Sequence, residues 1–203
     1  MIELFTANTP NGKKISIMLE EIACEYKISI IDISIGDQFK PEFKKISPFS
    51  KIPVIKDHEN GQIIFESGAI LIYLAEKSGK FFDKDNKNSI IQWLMAQMGY
   101  VGPMLGQHHQ FHHYNSGKSE FGEKRYFKIS TSIYKDLNER LSLSNYLAGN
   151  KYTIADIATF PWIARHDWHD IGLKNYKNLC RWYLQIAERK AVYAGSFDPL
   201  TNG

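Results

Sequence analysis

The apolar positions of this chain fall into two regimes. Over the first eighty residues, short runs alternate with helically spaced stretches. Residues 2–5 read as an apolar strand, followed by the turn-forming run Ala7-Asn8-Thr9-Pro10-Asn11-Gly12. Residues 13–24 place Ile15, Ile17, Met18, Leu19 and Ile22 at largely helical spacing. Residues 28–33 alternate as a strand does, and 41–46 read as a short helix with proline at its start. Residues 51–56 and 62–65 are two further strands, joined through Glu59-Asn60-Gly61, where Asn-Gly is a hairpin signal. Residues 67–77 turn Ile70, Leu71 and Leu74 inward as a helix that ends near Gly79.

This order, β-α-β-α-β-β-α, predicts a thioredoxin-like domain. It is a four-stranded mixed sheet with helices on both faces, whose first strand pair needs a right-handed crossover. After a polar connector at 83–88 the pattern becomes helical. Residues 89–100 carry Ile90, Ile91, Trp93, Leu94 and Met98, and 121–141 align Tyr126, Ile129, Ile133, Leu137 and Leu141 on one stripe. Thr153 followed by Asp156 has the spacing of a capping box. The helix it opens is short or kinked, because Pro161 lies inside it. Residues 178–189 form the last helix, and 195–199 read as an irregular tail. The expected organisation is an α/β domain over 1–80 and an all-α domain over 86–203.

Composition narrows the function. Of the 203 residues, 43% are hydrophobic and 23% charged, as in an ordinary globular chain. The net charge of +3 is spread without a basic stripe, which argues against nucleic acid as a partner. No apolar run approaches the ~20 residues of a membrane span, and the opening residues, which read as a strand, lead to the expectation of no signal peptide. Cys24 and Cys180 form neither a Cys-x-x-Cys pair nor a metal cluster, and they fit a reducing cytoplasm. His108, His109, His112 and His113 give two i,i+4 pairs. No glutamate lies between them in the metalloprotease pattern and no cysteine joins them, so no metal is expected. His166 and His169 read as surface or interface residues. Neither a nucleophile elbow nor a phosphate-binding glycine loop occurs.

Two stretches carry the chemistry. The first is Ser47-Pro48-Phe49-Ser50-Lys51-Ile52-Pro53-Val54-Ile55, a loop entering a strand with a proline at its mouth. Proline cannot donate to a ladder and is tolerated only at a strand's first residues. The second is Phe65-Glu66-Ser67-Gly68-Ala69-Ile70, a strand end, a polar turn and a helix start. Together they offer free backbone beside the positive end of a helix, a site for a small peptide with a charged amino-acid end. A plain helix cap also accounts for Glu66 and Ser67 taken alone.

These stretches, with Thr9-Pro10-Asn11-Gly12, Gly36-Asp37-Gln38-Phe39, Gly102-Pro103-Met104-Leu105-Gly106-Gln107 and Tyr152-Thr153-Ile154-Ala155-Asp156, extend over the whole chain. In them the sequence resembles the bacterial nu-class glutathione transferases. The resemblance implies the glutathione transferase fold, glutathione as substrate, no metal, and a homodimer with the site near the interface. Ile52 and Pro53 would then pair with the cysteinyl unit of glutathione, Glu66 with its ammonium and Ser67 with its γ-glutamyl carboxylate. Thr9 and Asn11 would hydrogen-bond the sulfur, at a place where thioredoxins carry a cysteine and this chain carries none. Gln38 would bind the glutathione backbone and Lys51 the glycine carboxylate. Arg125, with Lys124 as its competitor, would face the bound peptide.

The expected activity is glutathione-dependent reduction of small or mixed disulfides. Conventional conjugation of glutathione to an electrophile, in a pocket built from residues such as Met104, Phe111 and Tyr114, is the alternative. A non-enzymatic glutathione-binding role is the third reading. Because the loop lacks a cysteine, Cys24→Ser combined with Cys180→Ser should leave thiol-dependent turnover of a model disulfide within about twofold of the parent. Loss of turnover in the folded double variant would put a protein thiol into the mechanism.

Overall fold

The structure, a computed structural model, describes residues 1–196. It divides into two compact units, Met1–Phe82 together with the segment from Glu188 onward, and Asp83–Ala187.

The first unit is built on a four-stranded mixed sheet in the order β2-β1-β3-β4. Strand β1 (Ile2–Thr6) runs parallel to β2 (Tyr26–Ile30) and antiparallel to β3 (Val54–Asp57), which pairs antiparallel with β4 (Ile63–Phe65). Helix α1 (Pro10–Glu21) connects the parallel pair. The short α2 (Pro41–Lys44) precedes β3, and α3 (Ser67–Ser78) follows the hairpin. Ile2, Leu4, Val54 and Ile55 from the strands, Ile15 and Met18 from α1, and Ile70, Leu71 and Leu74 from α3 are all buried.

Element types follow the hydrophobic pattern, but several boundaries move. Helix α1 starts at Pro10 rather than 13, because the Thr-Pro pair supplies an N-cap and a first helical residue. Strand β2 stops at Ile30, short of the expected 33. Asp32 there accepts the Ser34 N–H at 2.9 Å in a local turn, which competes with the ladder. Strand β3 begins at Val54 instead of 51.

The chain's end is the larger departure. Helix α9 (Lys190–Ser196) packs on α1 inside the first unit, not with the helical half. Ser16 donates its hydroxyl to the Gly195 carbonyl at 2.7 Å, and Arg189 holds Glu21 through two bonds of 2.5 and 2.8 Å. A Cβ at Gly195 would lie 2.7 Å from the Ile17 nitrogen, so only glycine allows this approach. Residues 195–196 therefore complete a helix where an irregular tail was expected; 197–199 lie outside the described residues.

The second unit is helical. Helix α4 (Lys87–Ala96) passes through a π-helical stretch, Gln97–Val101, into α5 (Gly102–His108), and a second one, His109–Tyr114, follows. Then come α6 (Glu120–Ser142), α7 (Ile154–Ile163) and α8 (Lys177–Ala187). All ten residues of α7 are buried, and the helix ends two residues after Pro161. The Thr153–Asp156 capping box is formed. Asp156 is buried and also accepts from Leu147 N and Trp182 Nε1, each at 2.9 Å, so one carboxylate ties α7 to α8.

Asp57 anchors the β3–β4 connection in the same way. Its buried carboxylate accepts from Lys77 Nζ, from Tyr73 Oη at 2.5 Å and from Glu59 N at 2.9 Å. Burial alone would raise its pKa, but these donors hold it at about 2, below the ordinary 3.8. The folded state thus favours the ionised form. That stabilisation is complete above pH ~4 and is lost as the pH falls toward ~2. Asp57→Asn should lower stability by about 2 kcal/mol near neutral pH and flatten the acid limb. Urea midpoints measured across the acid range check both.

Candidate active site

The start of β3 and the head of α3 meet α1 around a cleft of about 140 Å³. It brings together six of the expected residues: Asn11, Lys51, Ile52, Pro53, Glu66 and Ser67. Ser47, Phe49 and Phe65 complete its lining.

Local bonding shapes each wall. Buried Ser47 accepts from Lys51 N at 2.9 Å and donates to Lys51 O at 2.7 Å, which fixes the loop ahead of the strand. The Ile52–Pro53 peptide is cis, and Pro53 is buried. Pairing begins only at Val54, opposite Phe5 and Phe65, so the backbone of Ile52 lies outside both ladders. Across the cleft β4 ends at Phe65 and the chain turns through Glu66 at φ 70° and ψ 116°. A non-glycine residue at positive φ is a strained arrangement of the kind found at binding sites. Glu66 is the N-cap of α3, yet its side chain makes no capping bond, and it is exposed. Ser67 is the first helical residue and is buried at the cleft floor.

On the α1 side, Thr9 accepts the Gly12 N–H at 3.1 Å. The threonine oxygen therefore does cap the helix, with its hydroxyl proton still a donor. Asn11, one residue into the helix after Pro10, reaches the cleft lining. Gly12 is forced by packing: a Cβ there would sit 2.3 Å from Thr6 Oγ1 and 2.5 Å from the Ala7 carbonyl.

Thr9, Gln38 and Arg125 are not part of this lining. Gln38 lies half-buried in a 3-10 turn, Asp37–Phe39, with its Oε1 buried and without a hydrogen-bond partner among the described residues. Arg125 is exposed on α6 of the helical unit, its guanidinium 5.9 Å from the Tyr126 ring centre.

One residue escaped the sequence reading. Lys14 is 1% exposed, and its Nζ donates to Ser67 Oγ at 3.4 Å. Burial draws its pKa down to about 7, against the opposing pull of Glu66. Its signal was positional: residue 14 falls three and four residues before Ile17 and Met18, on the apolar face of α1.

Three histidines of the helical unit, His108, His109 and His169, are buried in its core, while His112 and His166 are half-buried and His113 is exposed. His169, expected at the surface or an interface, is fully buried within the chain, and Tyr134 and His109 satisfy both its ring nitrogens, Nδ1 at 2.7 Å and Nε2 at 2.8 Å. His108 Nε2 faces the His169 carbonyl at 3.0 Å and so donates to it. His109 stacks on Trp162, and His113 on Trp168 at 4.1 Å. Burial pushes His109 down to about 4 and His169 to about 2, which keeps both neutral at physiological pH. Among the described residues, no three His, Cys, Asp or Glu side chains are grouped to hold a metal.

A thioredoxin-like sheet, a helical unit and this cleft together describe a glutathione-binding architecture, and comparison with known proteins agrees. Residues 9–77 match the family model for the glutathione S-transferase N-terminal domain, and residues 111–190 the model for the C-terminal domain. The chain belongs to the glutathione transferase family. It is 42% identical over 199 residues to the disulfide-bond oxidoreductase YfcG of Escherichia coli (strain K12), covering 95% of this chain and 93% of YfcG. It is 35% identical over 221 residues to YghU, a second disulfide-bond oxidoreductase of that organism, covering 100% of this chain and 76% of YghU. Among solved structures, a Burkholderia graminis glutathione transferase with two glutathione molecules bound per subunit matches with a TM-score of 0.92 at 36% identity, over 100% of this chain and 89% of that one. A Pseudomonas putida glutathione transferase with one glutathione disulfide per subunit matches with 0.90 at 39%, over 98% and 91%.

The contacts at Gly12 make its substitution a test of the α1 wall. Gly12→Ala should destabilise the fold by about 1–3 kcal/mol and shift Asn11 at the cleft. Thermal unfolding and the affinity for glutathione should both fall; unchanged values would mean that β1 and α1 yield freely at this point.

Proposed function

We propose that this protein is a glutathione-dependent disulfide reductase. The observation that carries the reading is the cleft itself. Unladdered backbone at Ile52, the α3 head at Ser67 and Asn11 in the first turn of α1 share one small space, and residues 9–12 hold no cysteine. The thiolate must therefore be brought by the substrate. The names of the two Escherichia coli relatives support the same reading.

In this mechanism the Ile52 backbone pairs with the cysteinyl unit as an added strand. The exposed carboxylate of Glu66 takes the ammonium, and Ser67 takes the γ-glutamyl carboxylate at the helix start. Lys51 faces the glycine carboxylate, with Gln38 as a further contact to the peptide. Asn11 and the Thr9 hydroxyl donate to the sulfur, which lowers its pKa and increases the thiolate fraction. The bound thiolate attacks one sulfur of a disulfide R–S–S–R′. A glutathione–sulfur bond forms, the S–S bond breaks, and R′S⁻ leaves with the electron pair and is protonated by solvent. A second glutathione thiolate then attacks the mixed disulfide, releasing the other thiol and glutathione disulfide. We further place the protein in the cytoplasm, where both its cysteines stay free, and read it as a homodimer, with the exposed Phe49 available for a partner surface.

Thr9→Ala with Asn11→Ala should cut turnover of a model disulfide about a hundredfold while changing glutathione affinity less than about threefold. Ser67→Ala should weaken binding first. Full reductase activity in the double variant would remove the thiol-activating role. Conjugation of an electrophile that outpaced disulfide reduction in the same preparation would replace the reaction.

A further inference from the structure

The mechanism above makes no use of Lys14. Burying an ammonium is costly, and an apolar residue of the same length would serve the core better. Yet Lys14 lies on the α1 face that carries Ile17 and Met18, and its Nζ donates to the oxygen of Ser67, which forms the cleft floor. A hydroxyl that accepts from an ammonium is polarised to donate in turn.

We infer that Lys14 is a positioning residue for the carboxylate at the γ-glutamyl end of glutathione, supplying through Ser67 a positive charge beneath the head of α3. The inference rests on the glutathione reading of the cleft and deepens it: the anion would meet a buried cation as well as a helix start. That charge is conditional. With a pKa near 7, Lys14 is protonated below neutral pH and largely neutral at pH ~8. An anion arriving at Ser67 favours the charged form and raises the pKa again. Binding is therefore coupled to proton uptake at pH ~8 and not at pH ~6. Of the charges around Lys14, Glu66 holds the proton on. Lys13 is its half-buried neighbour on α1. On α9, Lys190 lines a surface recess with Glu20, Glu21 and Arg189 toward the other end of α1, and Tyr193 is exposed.

Calorimetry with S-methylglutathione tests this, since the blocked thiol contributes no proton. At pH ~8, in two buffers of different ionisation enthalpy, the protein should take up more protons on binding than Lys14→Met does, by a difference approaching one per site. Lys14→Met should bind about tenfold more weakly at pH ~6. Its melting temperature should equal or exceed that of the parent. A folded Lys14→Met with unchanged affinity would overturn the inference, as would no proton uptake by the parent at pH ~8. Failure of the parent to bind S-methylglutathione at either pH would instead overturn the glutathione reading itself.

Discussion

The site depends on where β3 begins. Ser47 closes the 47–51 loop through both backbone groups of Lys51, and buried Pro53 follows. The strand then joins both its neighbours at Val54. Had the ladder started at Lys51, as its apolar pattern suggested, the Ile52 backbone would be committed to the sheet. Starting three residues later leaves the Ile52 backbone outside both ladders and in the cleft with the head of α3. Backbone groups need partners, so such an edge is a template for an extended peptide.

Around that edge the fold accepts local cost. Glu66 adopts a positive φ without a capping bond, and Lys14 is buried. Elsewhere in the same unit several polar groups are well paired, although Ala23 and Phe81 also adopt positive φ. Asp57 gathers the hairpin and α3 through three donors, Thr9 caps α1, and α9 is fastened to α1 by Ser16 and by the Arg189–Glu21 pair. Well-satisfied polar groups hold this frame, while Glu66 carries backbone strain and Lys14 desolvation beside the cleft.

The helical unit shows how polar residues become core. His108, His109, His112 and His113 have metal-ligand spacing on a helix, but the nitrogens of His108, His109 and His169 are directed at Tyr134, at a backbone carbonyl and at one another, and His109 and His113 stack on tryptophans. Neutral imidazole, with one donor and one acceptor, can be satisfied this way in an apolar setting. The i,i+4 spacing could not separate these outcomes, because it fixes only which side chains share a face. What that face meets is supplied by residues some sixty positions away.

The sequence by itself determined the type of nearly every element, the mixed four-stranded sheet, the capping box at Thr153 and the two stretches that build the cleft. These follow from periodicity, proline and glycine placement and short-range hydrogen bonding, all of which act within a few residues. Only the tertiary structure decided that β3 starts late, that α9 returns to α1, that His169 is buried and that Lys14 lies beneath Ser67. Each of these depends on contacts between residues distant in the chain, 53 positions apart for Lys14 and Ser67 and 179 for Ser16 and Gly195. Local pattern can show that a residue is on a buried face, but it cannot name the group waiting on the other side.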